Sequence, residues 1–392
     1  MQISNAIVIG AGIGGLAAAA ALARRGVAVT VLEQAPKLGA VGAGLQISPN
    51  GLAVLRALGL DAELRHKGAV PGRAVVLQTE TGRRVARLDL GLLRPDQQYY
   101  FVHRADLVDV LAGAARRANV SFEFGAPVAS VRPGDLPQIQ MVDGSTRRAQ
   151  LVVAADGIHS VARSVLNGAD KAAFTGQVAW RALIENRFDH PDAAQLTMGP
   201  RRHLVSYPVR GGRYINLVAV EERRDWAAEG WNHPDDPAHL RAAFSGFSGP
   251  AQAMINAVED VTLWGLHRHP VAACWQRGGV VVLGDAAHPT LPFLAQGANM
   301  ALEDAWVLAD AVARDGEAGP AAYQKRRHAR VTRVIGAANR NAWRYHLRPG
   351  PVRWAAHLGL RLASRFAPGR MVGAFDWLYG HDVTQVDKPR RR

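Results

Sequence analysis

Apolar and polar positions follow two rhythms along this chain. Ala6-Ile7-Val8-Ile9 is a continuous apolar run that ends on Gly10, the pattern of a buried strand. Leu16 to Arg24 is alanine-rich and predicts a helix. Ala28 to Leu32 is β-branched and alternating, which predicts a second parallel strand and closes a β-α-β unit of about 30 residues. Leu52 to Leu58 reads as a short helix, entered through the cap-like Ser48-Pro49-Asn50. Ala74 to Gln78 and Arg84 to Leu88 flank Glu80-Thr81-Gly82 and predict a hairpin. Arg104 to Ala118 places Leu107, Val110, Leu111 and Ala114 on one helical face. Val120 to Phe124 and Leu151 to Ala155 read as strands returning to the parallel sheet.

From Val178 to Val220 the rhythm changes to alternation, with a turn at Gly211-Gly212 between Leu204–Val209 and Tyr214–Val220, which predicts an antiparallel sheet. Arg223 to Pro250 reads as loop and helix. Gly279 to Leu283 is again a buried-type strand, and Gly297 to Val312 a helix. The expected fold class is therefore α/β, with a nucleotide domain over 1–72, 98–174 and 268–345. An antiparallel substrate domain over 73–97 and 175–267 is inserted in it, and 346–392 forms a C-terminal helical segment with a basic tail. No internal repeat is visible.

Composition narrows the function classes. No stretch of about 18 apolar residues suggests an integral membrane span. The N-terminus moves straight into a strand, without the basic region and apolar core of a secretory signal. Cys274 is the only cysteine, which excludes an internal disulfide, an iron–sulfur cluster and a Cys-rich zinc site. These features lead to an expected cytoplasmic location. The formal charge of +14 favours an anionic partner. The charge is spread along the chain with no nucleic-acid module, so an anionic cofactor and substrate are expected and nucleic acid is not. A basic surface with no specific partner remains the alternative.

Gly10-Ala11-Gly12-Ile13-Gly14-Gly15 fits G-x-G-x-x-G. The pattern is weak alone, but here it follows a strand and opens a helix, and Glu33 ends the next strand 18 residues after Gly15. Gly10 allows the tight turn, Gly12 lets the backbone approach a pyrophosphate, and Gly15 lets the helix pack on the sheet. Glu33 is placed to bond the ribose hydroxyls. A glycine turn without a ligand is the competing account. An NAD dehydrogenase would carry a mirrored second half. Instead, Val280-Val281-Val282-Leu283 runs into Gly284-Asp285, far downstream. An acidic residue at a strand's carboxyl end suits the ribitol of a flavin, or equally a helix cap. Gln296-Gly297-Ala298-Asn299 then opens a helix whose N–H groups would face the flavin pyrimidine edge.

Three motifs in this order resemble those of the group A flavoprotein aromatic hydroxylases, the class of salicylate hydroxylase and p-hydroxybenzoate hydroxylase. They are the fingerprint ending at Glu33; Asp156-Gly157-Ile158-His159-Ser160-Val161-Ala162-Arg163, similar to D-G-x-x-S-x-x-R; and Gly284-Asp285-Ala286-Ala287-His288 through Pro292 to Asp304-Ala305. The match covers the chain to about residue 345. It implies a Rossmann-type FAD-binding domain, with FAD as cofactor and NADH or NADPH as co-substrate. O2 and a small aromatic substrate would complete the reaction, in which a flavin C4a-hydroperoxide hydroxylates the ring. By the same resemblance Arg104 contacts the FAD side, Asp156 and Arg163 support the cofactor and the nicotinamide approach, Asp285 holds the ribitol, and Pro292 lies near the flavin ring. Gly42-Ala43-Gly44-Leu45 followed by Pro49-Asn50 resembles the salicylate and 3-hydroxybenzoate branch, which favours NADH. Where the family often has Gly-x-Gly after the proline, this chain has Ala295-Gln296-Gly297. The lost glycine is expected to narrow the space beside the flavin.

Such chemistry asks the protein for a dry pocket, a donor, and a base that makes the phenol a phenolate. His203 and Tyr207 share one face of a strand, about 13 Å apart along it, and match the His-x-x-x-Tyr of 3-hydroxybenzoate hydroxylases. A surface histidine and a packing tyrosine are the bland alternative. His288 is expected to be a loop hydrogen-bonder. No metal site is expected, since no ligand spacing is present, and Ser160 lacks the G-x-S-x-G elbow.

Beyond the motifs, Arg353, His357, Arg361 and Arg365 recur at i+4 as a basic stripe, beside an apolar face of Trp354, Leu358 and Leu362. A solvated stripe with its apolar side facing the core is expected. A homodimer contact or an anionic membrane surface are the alternatives. Lys388 to Arg392 reads as a disordered basic tail. Two other functions stay open: hydroxylation of a lipid-linked ring in quinone biosynthesis, and flavin binding without catalysis.

Overall fold

A computed structural model describes residues 1–39, 42–169, 172–223 and 233–385. The tail Lys388–Arg392 and much of the loop expected after Arg223 lie outside these residues.

The core sheet has six strands in the order Gln276–Arg277, Val280–Val282, Leu151–Ala154, Asn5–Ile9, Ala28–Glu33 and Ser121–Phe124. All pairings are parallel except the first. The central strands Asn5–Ile9, Leu151–Ala154 and Val280–Val282 are apolar on both faces because helices cover both sides. The helix Ile13–Ala23 packs against the helices Arg104–Arg117 and Gly297–Asp315. From Asn5–Ile9 the chain crosses first to one neighbour, Ala28–Glu33, and only later to the other, Leu151–Ala154. Gly10 and Ala155 follow adjacent strands, with Ala155 N–H donating to the Ile9 carbonyl at 2.9 Å. This reversal of strand order leaves a crevice at the carboxyl ends, where open α/β sheets bind ligands.

A second sheet has eight strands in the order His233–Asp235, Val261–Arg268, Ala173–Glu185, Tyr214–Glu222, Arg202–Val209, Ala193–Gly199, Ala74–Thr79 and Arg84–Asp89. It is antiparallel except at one junction, where Ala193–Gly199 runs parallel to Ala74–Thr79. The hairpin of residues 74–89 is thereby joined to strands more than a hundred residues away. One face of this sheet packs on the helices Pro237–Ala243 and Gly249–Asn256 through Trp180, Phe244 and Ile255. The other face looks toward the crevice. A three-stranded meander over 128–148 was not expected from the sequence.

The C-terminal helix Pro351–Phe366 corrects one expectation. Its basic stripe is not wholly solvated, since Arg353 is docked, while Arg365 is exposed. Arg353 Nη2 bonds Glu80 Oε2, and Ser364 Oγ sits 3.0 Å from Arg87 N on the hairpin. Leu360 packs near Leu196 and Met198. The residues turned outward are Trp354, Leu362 and Phe366, with Trp354 68% exposed. Arg353 and Ser364 dock because the hairpin offers a carboxylate and backbone groups at the matching heights, and Leu360 because apolar side chains lie between them. Among the described residues no helix is long and apolar enough to cross a membrane.

Candidate active site

Where the two sheets meet, a cavity of about 360 Å³ opens at the crevice. Gly12, Ile13 and Gly14 form its nucleotide end. Gly12 is the N-cap of the helix Ile13–Ala23, and no side chain caps it. The first N–H groups of that helix are therefore left for a ligand. A Cβ on Gly15 would fall 2.0 Å from the Gly10 carbonyl oxygen, and one on Gly10 2.6 Å from the Ala155 oxygen. A Cβ on Gly12 would meet nothing within 4 Å, so this position faces open space. The cradle thus needs glycine at 10 and 15 for packing, and at 12 keeps room for a phosphate. Glu33 fixes the turn: Oε2 accepts from Ala11 N at 2.7 Å and Oε1 from Ala35 N at 2.9 Å.

Asp285 and Arg104 line the same cavity, with Gly284, Gln296, Gly297 and Ala298. Burial pushes the Asp285 carboxyl up, while His288, Arg104 and His269 pull it back. Asp156 lies behind the glycine turn. Its Oδ2 accepts from Val161 N at 3.0 Å, and its buried Oδ1 has no partner among the described residues. Burial holds this carboxyl above its ordinary range. Cradle, uncapped helix and acidic far wall fit a dinucleotide with a hydroxyl-bearing chain between its ends.

Like Glu33 and Asp156, the side chains of Arg163 and Asn299 lie outside the cavity lining. Arg163 is buried outside the cavity and donates to the carbonyls of Ala286, Ala287 and Pro270 at 3.1, 2.9 and 2.6 Å. It braces the segment that carries Asp285. The Asn299 side chain is also buried outside the lining, accepting from Ser48 N and donating to the Gln46 and Ala295 carbonyls. Ser160 caps a helix, its Oγ accepting from Arg163 N. His288 is buried on Asp304, 2.5 Å from Oδ2, and does not reach the cavity. Ala295 does line it, at φ +52°, a left-handed conformation that costs a non-glycine residue about 1 kcal/mol.

The substrate end is walled by the strand Arg202–Val209. Both His203 and Tyr207 face the cavity, as do Leu291, Pro292 and Phe293 from the opposite segment. His203 is buried, with Nδ1 2.7 Å from His346 Nε2. Burial, and next the neighbouring His346, push its imidazole well below the usual range, so it is neutral. Tyr207 stacks on Phe101, centroids 5.2 Å apart. Burial raises its phenol, with Arg181 and Asn216 opposing, so Tyr207 is a donor and not a base.

Sequence reasoning missed Arg181. It lies in the strand Ala173–Glu185, lines the cavity, and stacks its guanidinium 4.7 Å above the Trp264 ring. Burial, joined by the charge of Arg104, brings it down to about 10, against the pull of Tyr207; it stays a cation at neutral pH. The signal was available: one arginine inside the apolar run Val178-Ala179-Trp180-Arg181-Ala182-Leu183-Ile184. Tyr99, Phe375 and Tyr379 also line the cavity, and the last two come from beyond the motifs.

A buried ionic network behind the cavity was likewise missed. Glu303 and Asp304, on the helix Gly297–Asp315, both bind Arg327, with Asp304 Oδ1 2.7 Å from Nε. Arg330 adds two 2.8 Å contacts to Glu303 and donates to the Trp377 and Leu378 carbonyls. Asn50 Nδ2 donates to Glu303 at 2.6 Å. Burial alone would raise the Glu303 carboxyl, but Arg327, Arg330 and Asn50 hold it down to about 2. The network ties the segments of Asn50, Gly284 and Trp377 into one wall.

Comparison with known proteins agrees with this geometry. Residues 4–338 match the family described as FAD binding domain. The chain is 38% identical to 3-amino-4-hydroxybenzoate 2-monooxygenase of Streptomyces cremeus, over 97% of this chain and 96% of that one. It is 34% identical to 3-hydroxybenzoate 6-hydroxylase of Polaromonas naphthalenivorans (strain CJ2), over 96% of each. Among solved structures, Klebsiella pneumoniae HpxO complexed with FAD and uric acid superposes with a TM-score of 0.82 at 27% identity, covering 94% of this chain and 95% of that one. With the fingerprint, the acidic far wall and the aromatic-lined cavity in place, this chain belongs to the FAD-dependent aromatic-ring hydroxylases.

Proposed function

We propose that this protein hydroxylates a small phenolic or hydroxy-heteroaromatic acid and binds its carboxylate through Arg181. The observation that carries the reading is the make-up of one cavity wall: a neutral imidazole, a protonated phenol and a buried cation, His203, Tyr207 and Arg181. Two relatives named for hydroxybenzoate substrates support it.

Gly12 to Gly14, Glu33, Arg104, Asp285 and the backbone of Gln296 to Ala298 would hold FAD. Bound FAD, once reduced by NADH or NADPH, would supply the activation of O2, one atom of which enters the ring. The chain's own residues prepare the ring. Arg181 sits in apolar surroundings, where a charge-assisted bond to a carboxylate is strong. With the carboxylate fixed, the ring lies along the strand and its hydroxyl reaches His203 or Tyr207. His203 Nε2 accepts the phenolic proton, which makes the ring electron-rich toward an electrophilic oxygen. Tyr207 donates to the ring's oxygen and holds it in place. Leu291, Phe293 and Tyr379 exclude water, which would divert the oxygen to H2O2.

Oxidation of NADH and NADPH by the purified protein, over a panel of hydroxybenzoates, aminohydroxybenzoates and hydroxynicotinates, tests this, with hydroxylated product and H2O2 measured separately. Product equal to coenzyme consumed for one acid supports the reading. H2O2 alone across the whole panel would sink it and move weight to a lipid-linked ring.

A further inference from the structure

His203 is the inner end of a hydrogen-bonded chain that reaches the protein surface. Its Nδ1 lies 2.7 Å from His346 Nε2. His346 follows the helix Gly319–Arg344, and its side chain is 1% exposed. Nδ1 of His346 lies 3.1 Å from Glu222 Oε1 and 3.3 Å from Gln177 Nε2. Glu222 is 33% exposed and opens on a surface pocket with Thr175, Gln177, Arg201 and Arg223. Its Oε2 is held by Arg201 Nε at 3.1 Å, which leaves Oε1 on the histidine. No described residue hydrogen-bonds His203 Nε2, so that nitrogen is turned to the cavity.

Each neutral imidazole carries one donor and one acceptor nitrogen, so a proton taken at one side can leave from the other. A structural bridge needs no such property in two consecutive links. Both rings are kept neutral. Burial lowers His203, with His346 adding to it. Burial and Arg202 lower His346, against Glu222. The charged groups facing the chain are thus Arg202, Glu222 and, at the surface pocket, Arg201 and Arg223. A series of neutral rings passes a proton without storing charge beside the substrate.

We propose that His203, His346 and Glu222 form a proton relay that carries the phenolic proton of the substrate from the cavity to solvent. The proposal rests on the phenol-hydroxylating function above. The phenol O–H bond breaks and its proton forms a bond to His203 Nε2. His203 Nδ1 gives its proton to His346 Nε2, His346 Nδ1 gives one to Glu222 Oε1, and the carboxyl releases one to water. One proton crosses, no electrons move, and the substrate is left as phenolate. Run backwards, the chain delivers one proton to the cavity and restores both tautomers, so each turnover leaves the relay as it began. His346 and Glu222 touch no substrate; they act through His203.

A nitro-substituted hydroxybenzoate, whose phenolate absorbs visible light, is mixed in a stopped-flow instrument with holoenzyme and a pH indicator. The wild type is expected to form phenolate and release its proton in one phase. In Glu222→Gln and His346→Ala both rates fall together by about tenfold or more, while ligand affinity changes little. Imidazole added to His346→Ala restores the rate. Wild-type rates in both variants overturn the relay and leave the hydroxylase reading intact. If the wild type binds and ionises no phenolic acid, the hydroxylase reading fails and the relay with it. Flavin content shows whether each variant has folded, and the near-isosteric Glu222→Gln decides the matter if His346→Ala has not.

Discussion

The ring of Tyr207 lies on the backbone of Gly44. A Cβ built there would fall 2.5 Å from Tyr207 Cε2 and 2.8 Å from Asn216 Cβ. Asn216 Oδ1 also accepts from Gly44 N at 2.7 Å, so the tyrosine wall and the strand Gly44–Ile47 are fitted together at one atom's clearance. Gly44→Ala should shift Tyr207 and cost about 1–3 kcal/mol of local packing. The expected result is a KM for the aromatic acid raised about tenfold or more, with flavin content near that of the wild type. An unchanged KM would mean that Tyr207 does not position the ring.

Arg181→Met keeps the volume of the side chain and removes its charge. A charged hydrogen bond is worth about 1.5–3 kcal/mol. The KM for an acid substrate should therefore rise by roughly ten- to a hundredfold, and that for the matching amide should barely move. Equal losses on acid and amide would show that the arginine serves the fold and not the carboxylate.

Asp285 is the acidic residue lining the cavity that the glycine cradle opens into. Asp285→Ala should lower the affinity for FAD, read as flavin lost on dialysis, by about tenfold or more. Glu303→Gln, buried behind the same wall, should instead lower the melting temperature first. Retained flavin in Asp285→Ala would remove this residue from the cofactor site.

The Arg327 network sets the acid limit of the fold. Removing one partner from a buried ion set typically costs about 3–5 kcal/mol, so Arg327→Met should melt well below the wild type. Glu303 titrates at about 2 in the folded protein and near its ordinary value of about 4.3 once unfolded. The folded state therefore binds fewer protons in that window, and stability falls as pH drops from about 4.3 toward 2. Glu303→Gln should flatten this acid limb of the melting curve. An unaltered limb would place the acid sensitivity elsewhere.

The parallel sheet was legible because its strands are short apolar runs punctuated by glycines, and the inserted sheet because its strands alternate. The motifs led to Gly12, Arg104 and Asp285, and the strand spacing to His203 and Tyr207, all of which line one cavity. The side chains of Arg163 and Asn299 bond backbone carbonyls outside the cavity lining; a motif marks that a polar residue is needed, not whether it faces ligand or backbone. Arg181 was hidden because a single cation in an apolar run has no periodic signature. The network of Glu303, Asp304 and Arg327, and the chain from His203 to Glu222, join residues far apart in sequence, and no local pattern records such pairings. On the C-terminal helix, Arg353 faces inward and Trp354 outward because the partner surface, not the helix itself, decides which side is buried.

The cofactor cradle is translated long before Phe375 and Tyr379, which complete the cavity. A nascent chain thus owns a dinucleotide site long before it owns an enclosed one. A chain broken off before residue 375 would still carry every motif of the family. It would hold flavin in an open crevice, where reduced cofactor meets oxygen and water together. Such a fragment would pass any test by signature and behave as a source of peroxide.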